Sequence, residues 1–149
     1  MKPILVIGLG NPLKADDGVG STVAEMLKAK QAPGLEIISN RGEGLDLMSL
    51  WAGRDKVLVI DAIRSNSMPG TLHRFEAHSS PVPTNLFGRS THTVSLAESV
   101  ELARSLGQLP RLLFLYGIEA VDFTLGADMS EPVRQAIPKL VEKIIEDMR

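Results

Sequence analysis

Two aspartates stand where carboxylates can do chemistry. Asp61 follows the apolar run Val57-Leu58-Val59-Ile60 and is itself followed by Ala62-Ile63. Such a run reads as a strand buried on both faces of a parallel sheet. Its carboxyl end is where open α/β sheets place their ligand crevices. A carboxylate buried there needs a cation, hydrogen-bond donors or water. The pair Asp16-Asp17 follows the first apolar run, residues 4–7, in the same manner. If the two strands are parallel, Asp17 and Asp61 meet at one sheet edge. A third candidate is His92, in Ser90-Thr91-His92-Thr93 at the end of a long loop. Two carboxylates and one imidazole make a facial O,O,N set for a borderline divalent metal, leaving positions open for substrate or water.

Each of these residues also has a plainer reading. Asp16 or Asp17 can cap the following helix and favour its positive end, with Asp16 as the cap while Asp17 points into the crevice. Asp61 can accept backbone N–H bonds from the next turn. A lone loop histidine is commonly just exposed, and His73 and His78 carry still less. Gly8-Leu9-Gly10 after a strand suggests a dinucleotide loop, but position 13 is Leu13, and Asp16-Asp17 would repel a pyrophosphate. The glycines instead let the backbone turn sharply beneath the site. Neither the helical His-Glu-x-x-His pattern nor a serine or cysteine nucleophile motif is present.

The elements that must position these residues alternate along the chain. Strands are expected at residues 4–7, 35–39, 56–60 and 111–118, with a partly exposed one at 70–75. Helices are expected after Asp17 (stripe Val19, Val23, Met26, Leu27), through Leu45, Leu47, Met48, Leu50 and Trp51, and from Ser95 to near Gly107. Ser95 and Glu98 have capping-box spacing. The last helix starts at Ser130-Glu131-Pro132 and carries Pro138 inside it. Residues 78–93, with Pro81, Pro83, Asn85 and Gly88, form a long loop of the functional or mobile kind. This alternation predicts an α/β fold, a three-layer sandwich with a twisted, mostly parallel sheet between helices. Repeats and linkers are lacking, so residues 1–149 are expected to form a single domain.

A formal net charge of −2 and a pI near 5.9 argue against a nucleic-acid partner. Cysteine is absent, which excludes disulfides and thiolate ligands. No apolar run reaches the roughly 20 residues needed to cross a bilayer. The apolar start stops at Gly8-Leu9-Gly10-Asn11-Pro12 without a small-residue cleavage site, so it reads as a core strand and the expected location is cytoplasmic.

Taken together, Gly8-Leu9-Gly10-Asn11-Pro12-Leu13, Asp16-Asp17-Gly18-Val19-Gly20, Asp61-Ala62-Ile63 and Ser90-Thr91-His92 resemble the [NiFe]-hydrogenase maturation endopeptidases. The likeness runs nearly end to end, including Gly117-Ile118-Glu119 and the closing helix. It implies a protease that removes the carboxy-terminal extension of a hydrogenase large-subunit precursor after nickel insertion. It also implies that the family's three metal-contacting positions fall on Asp17, Asp61 and His92, as both metal-binding and catalytic residues. The nickel would be supplied by the substrate, and no organic cofactor is expected. The resemblance departs at Asn40-Arg41-Gly42-Glu43-Gly44, where the family often has an acid and paired glycines, leaving Arg41 and Glu43 as solvated charges or selectors of substrate. Beside another small hydrolase of this architecture using Asp61 as a general base, two rival readings remain. One is a non-catalytic, metal-sensing maturation chaperone. The other is a peptidyl-tRNA hydrolase-like hydrolase, which shares residues 8–12 but continues differently and suits this acidic balance poorly.

Overall fold

The computed structural model describes residues 2–41, 46–83 and 95–148. Five strands form one sheet: β1 (Ile4–Leu9), β2 (Leu35–Asn40), β3 (Lys56–Ile63), β4 (Leu72–Glu76) and β5 (Leu112–Glu119). Their order is β2-β1-β3-β5-β4. The pairs of β1 with β2, β1 with β3 and β3 with β5 are parallel, and β4 runs antiparallel on the edge beside β5. The helices are α1 (Val19–Ala29), α2 (Leu47–Trp51), α3 (Leu96–Ser105) and α4 (Glu131–Asp147). The fold is thus the α/β sandwich expected, with a mixed sheet.

The strand alternation sorts side chains to two faces. Ile7, Val59, Leu113 and Leu115 pack with Trp51, Leu96 and Val100 from α2 and α3. Val6, Leu58, Ile60 and Tyr116 pack with Val23 and Leu27 of α1 and Ile137, Leu140 and Ile144 of α4. Strands buried on both faces read as unbroken apolar runs, which is why β3 and β5 were legible. The Ser95 cap is formed as its spacing predicts, with Glu98 N–H donating to Ser95 Oγ at 3.2 Å. Pro138 lies inside α4, also as expected.

Two of the strand ends that differ from expectation bear on the site. β1 continues through Gly8 and Leu9, and β3 continues past Asp61 to Ile63. Asp61 is therefore inside a strand rather than just beyond one. The cause lies in β5, which stays paired with β3 through Asp61–Gly117, Ala62–Ile118 and Ile63–Glu119. By contrast, the β1–β3 ladder ends at Gly8–Ile60. Asp61 is the first residue of β3 beyond the end of that ladder. The helix α1 presses onto this point: a Cβ on Gly20 would overlap the carbonyl oxygens of Leu9 and Ile60, so only glycine permits the approach.

Candidate functional site at the β1–β3 edge

β1 leads to β2 on one side of the sheet, and β3 lies on its other side, so the strand order reverses between β1 and β3. Crevices outside the carboxyl ends of strands at such a point are the usual ligand positions of open α/β sheets. Asp17 and Asp61 both sit there.

The loop after β1 is tightly determined. Gly10 has φ +124, a conformation favouring glycine, and a Cβ there would overlap the Asp17 carbonyl oxygen. Asn11 N–H donates to Asp17 Oδ2 at 2.8 Å, and Ser21 Oγ donates to Gly10 O at 2.9 Å. Asp17 lies in a 3-10 turn, Ala15–Gly18, and is partly exposed. Neither acid caps the helix as expected: Gly18 is the N-cap of α1, without a side-chain hydrogen bond.

Asp16 has a different use. It is fully buried and accepts from Val121 N–H (2.9 Å), Asp122 N–H (2.9 Å), Ser130 N–H (2.7 Å) and Ser130 Oγ (2.9 Å). The interval 3-10 turn leaves its side chain aimed across the molecule, where donors from the β5–α4 loop outcompete the helix end.

Asp61 is 8% exposed. Among the described residues its carboxylate takes one hydrogen bond, from its own neighbour Ala62 N–H at 2.8 Å. Burial pushes its pKa well above the ordinary value, the Ala62 N–H opposes this, and the charge of Asp17 pushes it further up. Two carboxylates that repel in a desolvated crevice are relieved by a proton or a shared cation. A metal ion would need Asp61 deprotonated, so binding there would release a proton.

The structure thus brings Asp17 and Asp61 together. His92 lies outside the described residues, in the segment that leads to α3. The other two histidines are engaged elsewhere. His73 Nε2 is 3.1 Å from Glu119 Oε1, and its ring stacks on Phe75. Leu113 N–H donates to His78 Nδ1 at 3.0 Å. Among the described residues no group of three His, Asp or Glu is arranged to hold a metal.

Sequence reasoning missed Glu119 as a buried group. It is 2% exposed and accepts from Ser65 N–H (2.8 Å) and Ser65 Oγ (2.5 Å) as well as facing His73. The pattern that marked Asp61, an acid closing an apolar run, also applies to Glu119 and could have found it. Here carboxylate stands between hydroxyl and imidazole, so Ser65 is not activated by His73 in the manner of a serine nucleophile.

Comparison with known proteins agrees with this architecture. The family model for hydrogenase maturation proteases matches residues 21–147, a span that begins after Asp17 and includes Asp61. The hydrogenase expression/formation protein HupD of Rhizobium leguminosarum bv. viciae is 32% identical over 149 residues, covering 98% of this chain and 74% of that protein. The hydrogenase 2 maturation protease of Escherichia coli (strain K12) is 28% identical over 150 residues, covering 98% and 90%. The solved structure of the hydrogenase maturating endopeptidase HybD from E. coli superposes with a TM-score of 0.81 at 26% identity, covering 99% of this chain and 92% of that one. The chain belongs to the hydrogenase maturation protease family.

Proposed function

We propose that this protein is an endopeptidase that removes the carboxy-terminal extension of a [NiFe]-hydrogenase large-subunit precursor, using nickel already bound in that precursor as its recognition mark. The observation that carries the reading is the Asp17–Asp61 crevice, where a buried carboxylate with one short-range donor faces a second carboxylate. Asp17 and Asp61 supply hard oxygen donors and His92 a borderline nitrogen. A thiolate-held nickel with vacant positions would accept such donors. Asp61 would give up its proton on engagement, and the two carboxylates would hold the metal-bearing segment against the sheet edge. Anchoring there places the adjacent peptide bond in a fixed position, and such positioning alone can lower a reaction barrier substantially. The nickel belongs to the substrate. Family membership and the absence of a nucleophile motif both support hydrolysis of this kind.

Arg41, beside Asn40 at the end of β2, lines a cavity of about 400 Å³ with Pro12, Ser21 and Thr22. That location, one strand over from the crevice, suits a selector of which large subunit is accepted. Glu43, its companion in the sequence departure, lies outside the described residues. No helix of the described residues is long and apolar enough to cross a membrane.

Mass spectrometry of a large-subunit precursor, incubated with the protein before and after nickel loading, tests the reading. Loss of a carboxy-terminal peptide from the loaded form alone is expected. Equal cleavage of both forms would remove nickel from the mechanism, and binding without cleavage would make the protein a metal-sensing chaperone.

A further inference from the structure

Past the last β1–β3 pair, Gly8–Ile60, no sheet hydrogen bonds hold the loop bearing Asp17 in register with Asp61. The distance between two carboxylates that must share one ion therefore has to be set by something else. A continuous tie runs through the start of the β5–α4 loop. Asp16 N–H donates to Asp122 O at 2.8 Å, and the Asp16 carboxylate accepts from Val121 and Asp122 N–H. Ala120 N–H, one residue earlier, donates to Ile63 O at 2.8 Å, two residues beyond Asp61. The path from Asp17 to Asp61 thus passes through Asp16, residues 120–122 and Ile63.

Further features mark Asp16 as the fixed point of this path. Ser130, at the N-cap of α4, turns its hydroxyl to Asp16 rather than to its own helix. Ala15 is buried with φ +48, a left-handed conformation unusual for alanine that persists only where neighbours enforce it. On its other side, Asp17 has its carbonyl against Gly10 and its carboxylate on Asn11 N–H. Sealed from solvent and with its oxygens committed, Asp16 is not itself available to a ligand.

We propose that Asp16 is a positioning residue: by locking the β1–α1 turn to the β5–α4 loop, it sets the placement of Asp17 relative to Asp61 and with it the affinity of the crevice for a divalent ion. This rests on the reading of Asp17 and Asp61 as metal-contacting groups. Outer groups that orient metal ligands commonly change affinity about 10–100-fold when altered.

The test is calorimetric titration of the whole protein with Ni²⁺ at a temperature where every variant is folded, comparing Asp16→Asn, Asp17→Asn, Asp61→Asn and Trp51→Phe. Trp51→Phe removes the remote bond from Trp51 Nε1 to Gln108 O and serves as the control for lost stability alone. Asp16→Asn is expected to weaken binding about tenfold with unchanged stoichiometry. Trp51→Phe should keep the parent affinity, since unfolding lowers stoichiometry and a misplaced ligand lowers affinity. Parent affinity in Asp16→Asn, with weakened binding in Asp17→Asn and Asp61→Asn, would overturn the positioning role alone. Parent affinity in all three aspartate variants would overturn the site reading and the proposal with it.

Discussion

Asp16 and Asp61 are two buried carboxylates at one edge of one sheet, and the protein treats them in opposite ways. Asp16 receives four hydrogen bonds from residues 105 to 114 positions away in sequence. Asp61, among the described residues, receives one, from the residue next to it, and faces the charge of Asp17. Glu119 falls with Asp16, since Ser65 and His73 occupy its oxygens. Burial alone therefore does not mark a functional acid. The distinction is whether donors answer the cost of desolvation, and at Asp61 that cost is left to a proton or a cation.

Variants can break this contrast, beginning with the largest effect. Asp16→Ala would leave the N–H groups of Val121, Asp122 and Ser130 without their acceptor, costing about 3–5 kcal/mol. Urea unfolding would measure it, and a loss below about 1 kcal/mol would show the brace to be dispensable. Glu119→Ala should cost somewhat less, about 2–3 kcal/mol, through the lost Ser65 and His73 bonds.

Asp61→Asn should act with the opposite sign. The folded pKa of Asp61 is raised above the ordinary value of 3.8. The fold therefore prefers the protonated acid, and that preference stabilises fully below 3.8 and is lost as pH rises through the raised folded value. The variant, which cannot ionise, should be more stable than the parent at pH 7, and the two should converge in acid. Denaturant titrations at pH 3 and pH 7 would check this, and a destabilised variant at pH 7 would place Asp61 with Asp16 instead.

The smallest effect concerns the opposite face of the sheet. Tyr116, the chain's one tyrosine, is fully buried, and its hydroxyl donates to Asp147 Oδ2 at 2.7 Å. Burial, with the Asp147 bond adding to it, pushes its pKa to about 12. Its neutral form stabilises the fold fully below the ordinary value of 10.0, and this is lost as pH rises through about 12. Absorbance at 295 nm should show almost no tyrosinate at pH 10; a midpoint near 10 would mean the site is open to water.

What was legible in the sequence followed from local pattern. The runs before Asp61 and around Leu113 announced buried strands because both faces of each are covered. The pairing of Asp17 with Asp61 followed from parallel strands and the position of ligand crevices. For Asp16 the sequence points to a helix cap, since that local use has a signature, whereas donors 105 or more positions away have none. β3 was cut short because an acid inside an apolar run looks like a strand end, and only the register with Gly117 to Glu119 shows otherwise. The order β2-β1-β3-β5-β4 depends on which strands meet in space, beyond the reach of periodicity.

Cleavage of nickel-loaded precursor by Asp61→Asn tests the central claim most directly. The account predicts a variant folded at least as stably as the parent at pH 7 that releases no carboxy-terminal peptide. Cleavage at the parent rate would mean that Asp61 awaits no partner in the reaction, and the contrast with Asp16 would lose its functional meaning.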